Sequence, residues 1–483
     1  MQMLLDTLKN TLLVFVEKNL EKKYRLATWG WIFLIYLTGL LFWGMLFDWR
    51  QTSLNFHDWE QINLPRMQVI KDALQTTTFP LHVADTTPLH KLTDRFLALP
   101  DVITTPQMVM LLFVDVDTFA LLDLVIQYTI ATAGLIYFRK KYSLSLVTYA
   151  IIFFLFNFNG YIQAHYVVGH ITWAGYFLFP WFFILVFEFT EKQPTWGWVA
   201  KVAFLSFYII LCGSQHHFLW MMLFLSFLGL ASWDKIRWIF AAILASGFLS
   251  AIRLLPPVLV IGAVGQRAAF RPQAGYMGIT DWLFALTQLH QPDTFRPGIP
   301  FPLGYWEFDY FVGLSGAIFL LVFGLLFWIY DQQHNKRFAK LFLPFFITFL
   351  LSTGFLYGDS LYHLPIFGSE RVISRMVSIP TTLLILIAAI YFDKWLRIGS
   401  TTKWIAVAGL ILLLNDLTIH ARLWNVYQVA KEFTKVQIQF RQSLLANHPD
   451  PLYINLIILA SSSTILVAIT LLFLAYRSSK IKS

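Results

Sequence analysis

The chain has 483 residues, of which 57% are hydrophobic, 18% are aromatic and only 13% are charged. Soluble domains usually carry about 25% charged residues, and so few polar groups could not cover this much apolar surface in water. Composition therefore excludes a soluble enzyme and predicts an all-α, multi-pass bundle of membrane helices. The net charge of +9 does not indicate a nucleic-acid partner, because basic residues at the cytoplasmic ends of membrane helices explain it.

Runs of about 20 apolar residues predict helices that cross a membrane, and about twelve runs, several of them short, occur here. They cover about residues 26–47, 118–138, 144–159, 171–190, 198–213, 217–232, 236–252, 311–330, 341–357, 379–393, 404–419 and 454–476. Residues 1–25 precede them and combine leucines on one face with five basic residues. This pattern predicts an interfacial amphipathic helix on the anionic cytoplasmic surface of a membrane.

The lysines and arginines predict the orientation of these spans. With the N-terminus inside, 21 of the 36 basic residues fall in the short inner segments, at a density about four times that of the outer segments. Both termini are therefore predicted to be cytoplasmic. The chain then divides into a membrane module 26–255, with an outer loop 48–117, and a C-terminal membrane module 256–483, whose outer loops are 256–310, 358–378 and 420–453. The inner connections contain no phosphate-binding P-loop, so any chemistry is predicted to be extracytoplasmic.

The first outer loop begins with Asn55-Phe56-His57-Asp58-Trp59-Glu60-Gln61. A carboxylate beside lipid and aromatic rings can have a raised pKa and act as a general base toward a hydroxyl group. Asp58 and Glu60 are therefore candidate catalytic residues, and a solvated loop with incidental acids is the alternative. The spacing of the apolar residues that follow predicts an amphipathic helix in this loop; these residues are Ile62, Met67, Ile70 and Leu74.

Three further acidic residues lie at the start of the second span. Asp115 and Asp117 open it, where acids are favoured by capping and by the helix dipole; the alternative is a divalent metal site or a second part of the catalytic pocket. Asp123 follows one to two turns into the span. A carboxylate within a span usually faces a cavity, so Asp123 is a candidate pocket residue.

Polar residues also mark two predicted outer turns. His165 and His170 lie between the third and fourth spans, and their separation of five residues does not favour a zinc site on a helix. Gln215 and His216 lie between the fifth and sixth spans, where His216 is followed by a second histidine. Adjacent side chains point in different directions, so one histidine is expected to face a pocket. These four residues are candidates for a substrate pocket.

Three arginines of the outer segments are candidates for binding phosphate. Arg253 ends the seventh span, and Arg371 and Arg375 are four residues apart, which would place both on one face of a helix. The guanidinium fork matches the oxygens of a phosphate group. Lipid headgroups are the alternative partners.

The order of these features resembles the GT-C superfamily of integral membrane glycosyltransferases and, within it, the YfhO-like bacterial membrane proteins. The resemblance covers roughly residues 26–380. Besides the acidic motif after the first span, it rests on Thr105-Pro106-Gln107, the Asn-Gly-Tyr to His-Ile-Thr-Trp stretch 159–173, Phe179-Pro180-Trp181, Gly213-Ser214-Gln215, the Ser-Ala-Ile-Arg-Leu-Leu-Pro stretch 250–256, and Leu364-Pro365-Ile366-Phe367 with the two later arginines.

The resemblance implies an inverting transfer of a sugar from a polyprenyl-phosphate sugar to a glycan, lipid or protein acceptor outside the cytoplasmic membrane. It implies that Asp58, with Glu60 as its neighbour, is the catalytic base, and that Arg253, Arg371 and Arg375 contact the donor phosphate. No cofactor is required, although a divalent metal ion could bind at Asp115 and Asp117. Three other functions stay open: a transporter or flippase of lipid-linked saccharides, a polysaccharide polymerase or ligase, and a non-catalytic assembly factor.

Overall fold

The computed structural model of the chain describes residues 13–260, 275–276, 278–292, 294, 303–354, 356–357, 361, 370, 372–440 and 442–480. Over these ranges the secondary structure is helical, and the extended pairing there is limited to two isolated bridges, His82 with Arg95 and Val83 with Leu445. Several predicted features lie wholly or partly outside the described residues. They are the first half of the N-terminal helix, Arg371, and parts of the loops 256–310 and 358–378.

Eight helices of the described chain are long and apolar enough to cross a membrane. They are Arg25–Leu46, Val116–Tyr142, Leu146–Val167, Ile171–Glu191, Gly313–His334, Ile373–Leu396, Ser400–Glu432 and Pro451–Lys480. Each overlaps a predicted span. The all-helical prediction is confirmed for these residues, and the helices are consistent with a multi-pass membrane protein.

The other four predicted spans coincide with shorter or bent helices. Trp196–Leu211 has 16 residues and Ala339–Leu351 has 13. At 1.5 Å per residue these helices are about 24 and 20 Å long, which is less than the ~30 Å hydrocarbon core of a bilayer. Gln215–Leu230 and Trp233–Leu249 meet at an angle of 112° and form either one broken span or a re-entrant pair. The described helices therefore support eight or nine spans, and the count of twelve stays a prediction.

The helix predicted in the first outer loop is present as Leu64–Gln75, preceded by a π-helical turn, Trp59–Asn63. Its buried face carries polar anchors as well as apolar side chains. Arg66 donates to the carbonyl of Pro88 over 2.8 Å, and the carboxylate of Asp72 accepts from the backbone N–H of Leu444 over 2.8 Å. This helix is therefore held by protein contacts on one side. The remaining short helices of three residues or more outside the spans include Lys18–Glu21, Ala251–Leu254 and Ile279–Thr287.

Two spans form the centre of the bundle. All residues of the helix Leu146–Asn157 are buried, as is the following helix Gly160–Val167, and nearly all of Ile373–Leu396 is buried too. By contrast, only 28% of the apolar window of Arg25–Leu46 and 22% of that of Pro451–Lys480 is buried. A helix that is apolar all round is stable inside a protein or in lipid. Contacts with other helices therefore account for the apolar surface of the two central spans, and a lipid bilayer would account for that of Arg25–Leu46 and Pro451–Lys480. The candidate site lies around the ends of the central pair.

Candidate functional site

The site begins in the turn after the first span, at His57. This residue has a φ of +53°, a left-handed conformation that is uncommon for residues with a side chain. It allows the adjacent side chains of His57 and Asp58 to meet, with Nδ1 of His57 3.3 Å from Oδ1 of Asp58. The same Nδ1 lies 3.1 Å from the carbonyl oxygen of Val168, and that carbonyl also accepts from the backbone N–H of Asp58 over 3.3 Å. The turn is thereby attached to the segment after the helix Gly160–Val167.

Gly169 permits this close approach of two chain segments. Its φ is +91°, and a Cβ atom at this position would lie 2.4 Å from the backbone nitrogen of Trp59. The indole Nε1 of Trp59 donates to the carbonyl of Tyr166 over 3.0 Å, and Asn63 donates to the carbonyl of Asp58 over 3.0 Å. The backbone around Asp58 is therefore held in place by side-chain hydrogen bonds of Trp59 and Asn63.

His170 and His165 continue the site behind Asp58. Nε2 of His170 lies 3.3 Å from Oδ2 of Asp58, so the two oxygens of that carboxylate contact two different histidines. Nδ1 of His170 faces Nδ1 of the fully buried His165 at 2.7 Å. A hydrogen bond between two ring nitrogens needs one donor and one acceptor, so at least one of these rings is neutral. Both sequence-predicted histidines thus belong to the Asp58 cluster.

These contacts shift the pKa values of Asp58 and His57 in opposite directions. Burial alone would raise the pKa of Asp58, but the hydrogen bonds and charges of His170 and His57 outweigh it and hold that pKa well below the ordinary aspartate value. Burial lowers the pKa of His57, but the contacts with Asp58 and the Val168 carbonyl outweigh it and raise that pKa. Asp58 is therefore ionised throughout the physiological range, and the His57 ring is the titrating member of the pair.

The tautomer of His57 follows from its partners. A carboxylate and a carbonyl oxygen can only accept, so Nδ1, which contacts both, carries the proton. In the neutral ring Nε2 is then a proton acceptor. The side chain of His57 is 32% exposed, so the ring is partly accessible from outside the protein. A carboxylate behind a histidine in this way both orients the ring and stabilises its protonated form.

Aromatic rings connect this cluster to a buried cation. The rings of His170 and Trp173 are 6.1 Å apart, and the guanidinium carbon of Arg375 lies 4.9 Å from the centroid of the Trp173 ring, within cation–π range. Arg375 pairs through Nε and Nη2 with both carboxylate oxygens of Glu307, which leaves Nη1 outside the pair. Next to Glu307, Trp306 places its ring 5.3 Å from that of His57. Asp58 and Arg375 thus belong to one continuous cluster.

Two predicted pocket residues, His216 and Gln215, and one predicted catalytic residue, Glu60, differ in their relation to this cluster. His216 contacts Glu370 through Nδ1 at 2.7 Å, and its ring is 5.2 Å from that of Trp173. Gln215 is half-buried at the start of the helix Gln215–Leu230. Glu60 is exposed on the π-helical turn. The structure therefore brings His216 into the cluster and places Glu60 outside it.

Other candidate residues lie in separate surroundings. Asp123 is buried and accepts from Nε2 of Gln107 over 2.7 Å. Asp115 caps the helix Val116–Tyr142 by accepting from the N–H of Thr118, and it also pairs with Arg50 at 3.1 Å. The capping interpretation thus accounts for Asp115, and Asp117 is buried in the first turn of the same helix.

Arg253 is also placed away from Asp58. It is fully buried, and its Nη2 donates to the backbone carbonyls of Leu99 and Val102 over 2.8 and 2.9 Å. These contacts fix the end of the first outer loop against the helix Ala251–Leu254. The predicted phosphate contact of Arg371 lies outside the described residues.

Two groups of three potential metal ligands occur within the described ranges. The first is His57, Asp58 and His170, and the second is His82, Asp94 and His448; in each, the ligand atoms lie within 4.8 Å of one another. Neither group contains Asp115 or Asp117. The first group coincides with the candidate site, and its two imidazoles and one carboxylate are a ligand set that divalent transition metals accept.

Three site residues were not candidates on sequence grounds: His57, Trp306 and Glu307. For His57 the adjacency to Asp58 was a signal, but adjacent side chains ordinarily point apart. For Trp306 and Glu307 no local pattern connects them with residues some 250 positions earlier in the chain. No protein-family model, curated protein or solved structure matches this chain.

Proposed function

We propose that the chain is a membrane glycosyltransferase of the GT-C type, which transfers a sugar from a polyprenyl-phosphate sugar to an acceptor hydroxyl outside the cytoplasmic membrane. Both termini would be cytoplasmic. The observation that carries the proposal is the continuous contact from His57 and Asp58 through His170 and Trp173 to Arg375. It combines a proton acceptor with a cation and aromatic rings, which are the groups that this transfer needs.

The proton acceptor in this proposal is Nε2 of His57, with Asp58 as the carboxylate that holds the ring. The acceptor hydroxyl gives its proton to Nε2 while its oxygen forms a bond to the anomeric carbon of the donor. The bond from that carbon to the phosphate oxygen breaks, and the lipid phosphate leaves with the electron pair. Asp58 by itself would be a weaker base, because its pKa is lowered and both of its oxygens contact histidines.

The leaving phosphate is assigned to Arg375. The bidentate pair with Glu307 fixes the guanidinium plane and leaves Nη1 for a phosphate oxygen. Glu307 also cancels part of the positive charge, so a second cation is needed, and Arg371 is the predicted one. The half-buried Trp306, beside His57, offers an aromatic face for the sugar ring.

The decisive experiment measures transfer in membranes that contain the protein and are supplied with labelled polyprenyl-phosphate sugars of several kinds. His57→Phe and Asp58→Asn are expected to lower the transfer rate by at least about 100-fold, the usual contribution of a general base. Asp48→Asn is the matched control, because Asp48 also precedes a tryptophan after the first span but makes no ion pair among the described residues. Thermal unfolding of each variant shows whether it is folded.

Undiminished transfer by folded Asp58→Asn protein would remove the His57–Asp58 pair from the reaction. A second measurement separates transfer from transport. Purified protein in vesicles would be supplied with a labelled lipid-linked saccharide, and its movement between leaflets would be followed without an acceptor. Rapid movement that does not depend on His57 or Asp58, together with no transfer product, would replace the transferase proposal by the flippase one.

A further inference from the structure

A second cluster of histidines and carboxylates joins the first outer loop to the segment before the last span. The ring of the fully buried His82 stacks on that of His448, with centroids 3.8 Å apart. Nε2 of His448 lies 2.8 Å from a carboxylate oxygen of Asp94. One nitrogen or oxygen atom from each of the three residues lies within 4.8 Å of the others. Residues from distant parts of the sequence thus present metal-ligating atoms to one point.

The surroundings of His82 are those of a metal ligand. Its Nε2 faces the carboxylate of Asp450 at 3.4 Å, and this carboxylate also accepts from Nε of Arg95 over 2.7 Å. Its Nδ1 is buried without a hydrogen-bond partner in the described structure. Histidines that bind metals usually donate their second N–H to a carboxylate or a carbonyl oxygen. With Nε2 donating to Asp450, Nδ1 is the nitrogen left for a metal ion.

His448 repeats this arrangement. Nδ1 of His448 faces the carbonyl oxygen of Pro449 at 3.4 Å, and Nε2 faces Asp94. The side chains of His448 and Asp94 are 49% and 41% exposed, so both can rotate. Ligands of a tetrahedral zinc ion lie about 3.3 Å apart, because each is about 2.0–2.1 Å from the metal. The three ligand atoms lie within 4.8 Å of one another, so binding of the ion requires a shift of the two exposed side chains toward His82.

The charges also favour a cation at this point. Asp94 and Asp450 are two carboxylates; Arg95 pairs with Asp450, whereas the partner of Asp94 is the ring of His448, which compensates its charge only when that ring is protonated. Two stacked imidazole rings would repel each other if both were protonated, whereas neutral imidazoles are good ligands for zinc. A divalent ion between the neutral rings and Asp94 removes the excess negative charge and gives the buried Nδ1 atom a partner.

We propose that His82, Asp94 and His448 bind a divalent transition-metal ion of the zinc class. The ion fastens the segment before the last span to the first outer loop. The backbone supports this role, because Asn447 accepts from the N–H groups of Leu81 and His82 over 3.0 and 2.9 Å. The site is separate from the His57–Asp58 cluster, and its function is structural.

The test uses the full-length protein in detergent, stripped with a chelator and then supplied with zinc chloride. Metal content per chain is measured by mass spectrometry, and the melting temperature is recorded with and without zinc. His448→Gln is the main variant, because the exposed ring can be replaced without disturbing the core. His334→Gln is its control, since His334 is an exposed histidine at a helix end.

The wild type and His334→Gln are expected to bind about one zinc ion per chain more than His448→Gln. Zinc is expected to raise the melting temperature of the first two and to leave that of His448→Gln unchanged. Zinc bound only at His57, Asp58 and His170 would give equal contents in all three proteins. Equal contents, or a melting temperature of the wild type that does not respond to zinc, would overturn the proposal. If His448→Gln does not fold, Asp94→Asn replaces it with the same expectations.

Discussion

Gly169 allows the turn that carries Asp58 to lie against the segment that carries His170, and Gly169→Ala tests whether this geometry serves the reaction. The new Cβ atom would lie 2.4 Å from the backbone nitrogen of Trp59 and 2.9 Å from the carbonyl carbon of Asp58. Both are backbone atoms, so no side chain can rotate away. An ordinary contact is 3.4 Å or more, and the two segments must therefore separate by about 1 Å. The φ of +91° adds strain of about 1–2 kcal/mol for a residue with a side chain.

The separation acts directly on the contact between Asp58 and His170. That contact is now 3.3 Å, and a displacement of about 1 Å would take it beyond the range of a hydrogen bond. Misplacing a catalytic group by this amount can lower a rate about 100-fold. Transfer from labelled polyprenyl-phosphate sugars is therefore expected to fall by about two orders of magnitude, while the folded fraction, measured by thermal unfolding, decreases only moderately.

Gly278→Ala is the matched control for backbone strain. Gly278 also has a positive φ, +138°, but a Cβ atom there would have no neighbour within 4 Å among the residues that the structure describes. It is expected to lose stability without a comparable loss of transfer. If Gly169→Ala transfers sugar at the wild-type rate, or if both variants lose activity equally, the position of Asp58 against His170 does not govern the reaction.

Three further predictions concern stability. Burial raises the pKa of Asp101, but Arg66 and His90 outweigh it and hold that pKa well below its ordinary value. The ionised Asp101 therefore stabilises the fold fully above the ordinary aspartate pKa of about 3.9, and this stabilisation is lost as the pH falls toward the lower folded-state pKa. We expect Asp101→Asn to be less stable than the wild type at pH 7 and its stability, measured by denaturant unfolding, to depend less on acid. A stability that falls with pH as steeply as that of the wild type would contradict this. Glu307→Gln leaves the largely buried Arg375 without its carboxylate partner and is expected to lower the free energy of unfolding by about 3–5 kcal/mol. The double variant with Arg375→Gln should restore part of this loss. If the double variant loses as much stability as the two single variants together, the two residues are not coupled as a pair. Asp115→Ala removes a helix cap and is expected to cost about 0.5–2 kcal/mol, whereas Asp115→Ser should retain most of the stability in the same thermal unfolding assay.

The apolar pattern predicts where the helices are but not how each one meets the membrane. Every predicted span overlaps a helix, because a run of apolar residues must satisfy its backbone internally. The pattern could not predict that Gln215–Leu230 and Trp233–Leu249 meet at 112°. The angle depends on packing against neighbouring helices. The two residues that separate these helices have no feature in the sequence that distinguishes a sharp bend from an ordinary short connection. Ala339–Leu351 is likewise too short for a straight crossing, which the apolar composition of 341–357 conceals.

Residue type indicates which side chains can bind phosphate. It does not indicate whether a given arginine binds phosphate or donates to backbone carbonyl oxygens of the protein. Arg253 and Arg375 carry the same guanidinium group and both lie in predicted outer segments. Arg253 donates to the carbonyls of Leu99 and Val102, whereas Arg375 pairs with Glu307 beside the candidate site. The difference arises from contacts between residues far apart in the chain. Only Arg375 is therefore retained in the proposed mechanism among the described arginines.

The chemistry of Asp58 depends on the same kind of distant contact. Apolar neighbours in the sequence indicate a raised pKa and hence a carboxylate base, because burial disfavours the charged form. The structure adds two histidines at 3.3 Å, and their effect on the pKa exceeds that of burial. One of them is His170, more than a hundred residues away, and the other is the adjacent His57, which contacts Asp58 from a backbone conformation with a positive φ. In the proposed mechanism the proton-accepting role is therefore assigned to the imidazole ring of His57 and not to the carboxylate that holds it, and this is why His57→Phe and Asp58→Asn should impair transfer to a similar degree.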